Sequence, residues 1–249
     1  MPLIELSQVT KRFAARPAVD ALTLQVAPGE VYALLGANGA GKSTTIQMLL
    51  GFITPDSGSV RVAGYDVVAE PVAARRQVAY VPETVQLYPE LTGVENLDYF
   101  SRLAGHRLGR VALAATLQRA GLTGESADRR VVTYSKGMRQ KVGLAIAFAK
   151  GAQVLLLDEP TSGLDPHAAQ EFNLATAAIA ATGVAVLMAT HDLMRAQQLA
   201  RRIGVLHEGR LRIERNARDV SLAELETLYL AAVNPTASHA APPAARSVA

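Results

Sequence analysis

The chain has 249 residues, enough for one large α/β domain or two small ones, and 49% of them are apolar, so a substantial core can form. Its formal net charge is +3, and lysine and arginine are spread along the chain without a dense basic run, so no nucleic-acid footprint is indicated. There is no cysteine, which excludes disulfides, thiolate metal sites and cysteine nucleophiles and fits a reducing cytosol.

The opening Met1-Pro2-Leu3-Ile4-Glu5 lacks the basic and apolar regions of a signal peptide, so none is expected. No apolar run approaches the ~20 residues needed to span a bilayer, so any membrane task needs a second chain to do the spanning. Strands are predicted at Ile4–Thr10, Leu22–Val26, Val31–Leu35, Ser59–Val62, Val78–Val81, Val154–Leu157, Val184–Ala189 and Ile203–His207. The early strands alternate polar and apolar residues around short turns such as Pro28-Gly29, which predicts an antiparallel side sheet. The later apolar runs alternate with helical patterns, which predicts a mostly parallel sheet.

The stretch from about 85 to 150 reads as a helical subdomain. Thr92-Gly-Val-Glu95 opens one of its helices as a capping box. Asp165-Pro166 starts another helix, with aspartate as N-cap and proline at the first position. Ser221-Leu-Ala-Glu224 caps a last helix, about 221–233. From Asn234 the chain is Ala, Pro, Ser and Thr with almost no large apolar side chain, so 234–249 is expected to be a disordered tail behind one domain spanning 1–233.

Gly36-Ala37-Asn38-Gly39-Ala40-Gly41-Lys42-Ser43-Thr44 matches the phosphate-loop pattern G-x-x-x-x-G-K-[ST], between an apolar strand and a helical run. Glycines let the backbone curl so that successive N–H groups point at phosphates, and the next helix adds its positive end. Lys42 then places a charge on the terminal phosphates and the Ser43 hydroxyl ligates Mg²⁺. Val154-Leu-Leu-Leu-Asp158-Glu159 is a buried strand ending in two carboxylates. In a phosphate-loop enzyme Asp158 holds the metal, and Glu159 polarises the attacking water as general base. The fold expected is therefore α/β, a phosphate-loop NTPase core with an antiparallel side sheet and a helical subdomain.

From about Ile4 to His207 the sequence resembles the ATP-binding subunits of ABC transporters, on the order and spacing of its motifs. Tyr134-Ser135-Lys136-Gly137-Met138-Arg139-Gln140 stands at the family signature, just ahead of a helix predicted at Gln140–Lys150. Ser135 and Gly137 match it; Lys136 and Met138 depart. Ser162-Gly-Leu-Asp165 matches the D-loop, and Ala189-Thr190-His191-Asp192 the switch-histidine motif. Phe13 stands where the family stacks an aromatic on adenine. Val81-Pro82-Glu83 marks the Q-loop, with glutamate in place of the usual glutamine.

The resemblance implies binding of ATP and Mg²⁺ by a head-to-tail dimer, homodimeric or heterodimeric with a like subunit. Each ATP lies between the phosphate loop of one subunit and Ser135 and Gly137 of the other. His191 contacts the γ-phosphate, and Asp165 couples the sites across the interface. Integral membrane permease subunits are the implied partners, reached through the helical subdomain and Gln86–Thr92, with the chain cytoplasmic and peripheral on the inner face of the membrane. Lys136 and Met138 in the signature, Pro82-Glu83 and the short stretch after His207 look like the exporter-type branch. A soluble assembly ATPase of the iron–sulfur scaffold kind is the alternative. Glu83 is expected either to point at Mg²⁺, where an anionic oxygen is welcome, or to swing toward a base on the membrane subunit.

Overall fold

The computed structural model describes residues 1–14 and 16–233, so the tail expected at 234–249 lies outside the described residues. The chain opens with β1 (Ile4–Phe13) and β2 (Arg16–Val26), paired antiparallel from Ile4 opposite Val26. After β3 (Val31–Leu35) and α1 (Lys42–Leu49) come β4 (Ser57–Val62) and the two-residue β5 (Tyr65–Asp66). A short α2 (Pro71–Arg76) leads to β6 (Val78–Val81). Four helices follow: α3 (Gly93–Leu103), α4 (Arg110–Arg119), α5 (Gly124–Ala127) and α6 (Lys136–Lys150). Then β7 (Val154–Asp158), α7 (Pro166–Ala181), β8 (Ala185–Thr190) and α8 (Leu193–Leu199) alternate. A hairpin of β9 (Arg202–His207) and β10 (Arg210–Asn216) precedes α9 (Leu222–Val233).

One sheet runs β2-β1-β4-β5; the other runs β10-β9-β3-β8-β7-β6 and is parallel except for the β9–β10 hairpin. The central strands are covered on both faces, so they read as unbroken apolar runs. Within β3 the side chains still alternate. Val31, Ala33 and Leu35 face the core shared with α3, α4, α6 and α7, whereas Tyr32 and Leu34 face the core shared with α1 and the side sheet.

Register decides where the chemistry sits. Leu35 pairs with Thr190, Asp158 with Ala189 and Val81 with Leu157. The loops leaving β3, β7, β8 and β6 therefore emerge side by side at the carboxyl end of the parallel strands, where open α/β sheets bind ligands.

Several boundaries depart from the sequence reading. The α6 helix starts at Lys136 rather than Gln140, so Lys136-Gly137-Met138-Arg139 is its first turn and not a preceding loop. β1 and β2 run on to Phe13 and back to Arg16 because each supplies pairing partners to the other there, despite the basic residues. β5, α2 and β10 were not anticipated; β10 is the edge strand Arg-Leu-Arg-Ile-Glu-Arg-Asn, whose charges face solvent. The stretch 85–150 is interrupted between α3 and α4 and by a 3₁₀ turn at Val131–Thr133. The predicted caps are present. Thr92 and Glu95 exchange capping-box bonds of 3.2 and 2.7 Å, and Asp165 accepts from Ala168 N at 2.9 Å.

Candidate functional site

Gly36 to Thr44 wraps from the end of β3 into α1. A side chain at Gly36 would overlap the Leu206 carbonyl at 2.6 Å, and Gly41, at φ 110°, is pressed against the carbonyl of Ala18. Neither position admits a Cβ, so the tight curl of the loop is written into these two glycines. Lys42 is buried and turns back over the loop, its Nζ donating to the Gly36 carbonyl and standing 3.3 Å from Glu159 Oε1. Beside it lies a cavity of about 460 Å³, within the usual range for small-ligand sites. It is lined by Ala18, Ala37, Asn38, Gly39, Gly41, Lys42, Ser43, Thr44, Glu83, Asp158 and Glu159.

Glu159 leaves β7 at φ 44°, a left-handed backbone uncommon for a residue with a side chain. Its Oε2 accepts from Thr190 Oγ1 at 3.1 Å and from the His191 amide at 3.3 Å, and lies 2.9 Å from His191 Nδ1. Its Oε1 is buried without a hydrogen-bonded partner, at ion-pair distance from Lys42. Four groups thus converge on one carboxylate. Asp158 next to it is partly buried, and desolvation, with the charge of Glu159 second, raises its carboxyl above the ordinary range. Lys42 and the Ser43 hydroxyl oppose that shift.

The structure brings Lys42, Ser43, Glu83, Asp158, Glu159 and His191 together. Phe13 stands apart, half exposed at the end of β1, where with Arg16, Pro17, Ala18 and Gly39 it lines an adjoining hollow. Ser135, Gly137 and Asp165 do not line the phosphate cavity. Ser135 is exposed and caps α6, its Oγ accepting from Met138 N at 3.2 Å, and Asp165 caps α7. Gly137 is packed against Ala168, which a Cβ would approach to 3.2 Å. Sequence reading passed over three neighbours of the site. Thr190 fixes Glu159. Tyr80 stands beside Asp158, whose charge adds to burial in raising the phenol. Ser162 Oγ donates to Glu83 Oε1 at 3.1 Å. Thr190 lies within the quoted switch motif and Ser162 opens the D-loop, so both were visible; nothing in the spacing marks Tyr80.

The donor set suits a divalent cation: a serine hydroxyl and an aspartate carboxylate, Ser43 and Asp158, are hard oxygen ligands. Among the described residues no cluster of three or more His, Asp or Glu side chains forms a preassembled cage.

The profile of the family described as ABC transporter matches residues 19–162, more than half of the chain. The chain belongs to the ABC transporter family. It is 41% identical over 210 residues to the daunorubicin/doxorubicin resistance ATP-binding protein DrrA of Streptomyces peucetius, covering 84% of this chain and 63% of that relative's length. To the Nod factor export ATP-binding protein I of Paraburkholderia xenovorans it is 38% identical over 208 residues, covering 83% of this chain and 68% of the relative. Its fold matches the solved structure of an ATP-binding subunit of an ABC transporter at a TM-score of 0.77 and 33% identity, over 91% of this chain and 99% of that one. It also matches a dimeric ATP-binding cassette bound to ADP and Pi, at a TM-score of 0.76 and 25% identity, over 86% and 99% of the two chains. This ABC domain therefore binds ATP and hydrolyses it. No helix among the described residues is long and apolar enough to cross a membrane.

Proposed function

We propose that the chain powers export by separate integral membrane subunits, as a dimer that closes on two MgATP. The observation that carries the chemical part is the convergence of Lys42, Thr190 and His191 on the Glu159 carboxylate at the edge of the phosphate cavity. A carboxylate so held is aimed, and its backbone strain is offset by these contacts. Glu159 takes the proton of the attacking water, and His191, hydrogen-bonded to it, positions the water and the γ-phosphate. Lys42 exchanges Glu159 for phosphate oxygens when nucleotide enters, which frees Glu159 to act. The loop amides and the start of α1 receive the remaining phosphate charge. Ser43 and Asp158 would hold Mg²⁺, which when bound would neutralise phosphate charge. Phe13 borders the hollow that suits the base.

The export reading is supported by the relatives, whose names describe drug resistance and Nod factor export. They also favour transport over the assembly-ATPase alternative. The chain acts as a peripheral subunit on the inner face, the place that its family membership supports. Dimer formation is supported by the placement of Ser135, Gly137 and Asp165 outside the phosphate cavity, which leaves each site half built.

Glu159→Gln keeps the shape of the side chain and removes the base. Calorimetry is expected to show MgATP affinity retained, while steady-state turnover falls by about 10²-fold or more. Turnover within about threefold of wild type removes Glu159 from the base role.

A further inference from the structure

Two of the three departures from the family pattern, Glu83 and Lys136, meet in space. Lys136 Nζ lies 3.9 Å from Glu83 Oε1, the same oxygen that accepts from Ser162 Oγ. The lysine stem runs along the D-loop, where a Cβ on Gly163 would sit 3.8 Å from its Nζ. This third arrangement was in neither sequence expectation for Glu83. The backbone is fixed as well. Gln140, fully buried in α6, donates through Nε2 to the carbonyls of Glu83 at 2.8 Å and Pro82 at 3.2 Å. Gly143 of the same helix lets α6 close on Val81 and Val85, which a Cβ would approach to 3.2 and 3.1 Å. The loop carrying Glu83 is thus anchored to the helix that carries Lys136.

The charge balance of the cavity gives this contact a purpose. Among the described residues lining it are three carboxylates, Glu83, Asp158 and Glu159, against one lysine, Lys42. Such a lining repels a triphosphate unless another cation stands close by. We infer that Lys136 is a charge-balancing and positioning residue: it neutralises Glu83 at the mouth of the phosphate cavity and ties the loops after β6 and β7 to the start of α6. This rests on the ATP-site reading above. Glutamate at the Q-loop position is then tolerated because lysine stands in the signature, and the two departures are a matched pair.

Electrostatics gives the two single variants opposite signs, which a lost structural contact does not. Glu83→Gln removes a negative charge and leaves Lys136 uncompensated, so nucleotide binds more tightly. Lys136→Gln leaves Glu83 bare, so nucleotide binds more weakly. The test is calorimetric titration of the full chain with the magnesium complex of a non-hydrolysable ATP analogue. At about 50 mM salt the two affinities are expected to move about two- to fivefold in opposite directions, the scale of a half-exposed pair. The double variant returns near wild type, Lys136→Arg stays there, and at about 500 mM salt all differences shrink. Shifts of the same sign, or an unmoved Lys136→Gln, overturn the inference. So does a Glu83→Gln variant that needs more Mg²⁺ for half-maximal binding while Lys136→Gln does not, since Glu83 then serves the metal. Lys42→Ala is the separate control: if it binds the analogue as wild type does, the ATP-site reading itself fails.

Discussion

Asp158 and Glu159 are adjacent carboxylates with different tasks, and their surroundings separate them. Glu159 faces Lys42 with one oxygen, at 3.3 Å, and accepts a hydrogen bond from Thr190 on the other. Asp158 is raised by desolvation and by Glu159 beside it. A carboxyl whose folded-state pKa lies above its unfolded value holds its proton more tightly in the folded chain. Stability is therefore lost as pH rises through the window between the unfolded and the raised folded value. Burial disfavours the charged form of Asp158, a cost that a metal arriving with nucleotide would offset. Asp158→Asn is neutral at every pH and is expected to raise the melting temperature of the nucleotide-free chain while abolishing Mg²⁺-dependent hydrolysis. Each kcal/mol relieved is worth about 2–4 °C for a chain of this size. Differential scanning calorimetry at neutral pH checks it, and a lower melting temperature refutes the electrostatic account. The residues of this centre were legible because phosphate chemistry demands fixed types at fixed spacing. Tyr80 was not legible, since it joins the site through strand register, which no local pattern encodes.

Ser135 shows how an element can conceal a binding group. In the free chain its hydroxyl is the N-cap of α6, so Ser135→Ala costs about 1 kcal/mol of helix stability. Loss of function in that variant says nothing about ligand contact. Aspartate separates the two jobs, because it caps as well as serine and its charge suits a helix N-terminus. Ser135→Asp is expected to melt within a degree or two of wild type as a monomer. It loses ATP-driven dimerisation, because a carboxylate then faces the γ-phosphate. If Ser135→Asp dimerises normally with MgATP, Ser135 does not meet the phosphate. The start of α6 was misplaced by sequence because Lys136-Gly-Met-Arg carries no apolar periodicity and contains a glycine. The cap alone marked the true start, and Ser135 was the evidence for it. β10 was missed for a related reason: an edge strand dominated by arginine and glutamate pairs through backbone bonds while most of its charged side chains face water, and only Leu211 and Ile213 pack inward.

At the scale of the whole molecule, the parallel-sheet core, the side sheet and the helical stretch were all legible, because each has its own periodicity. Their relative placement came from register. That placement sets Lys42, Asp158, Glu159 and His191 together and leaves Ser135, Gly137 and Asp165 outside the cavity that those groups build. On the proposed reading, this cavity is one half of a nucleotide site. In the dimer proposed above, the missing wall is the α6 N-terminus of a second copy, which would offer amides and a hydroxyl to an anion. Nucleotide is then part of the interface, and the free chain has little reason to associate. Sedimentation of Glu159→Gln is expected to show monomer without nucleotide and dimer with MgATP, since blocking hydrolysis keeps the bridging γ-phosphate in place. Wild type under the same conditions dimerises only transiently, and its turnover rises with protein concentration. A dimer that forms without ATP, or turnover per chain that is independent of concentration, means that one copy completes its own site and that the open side faces something other than a second copy.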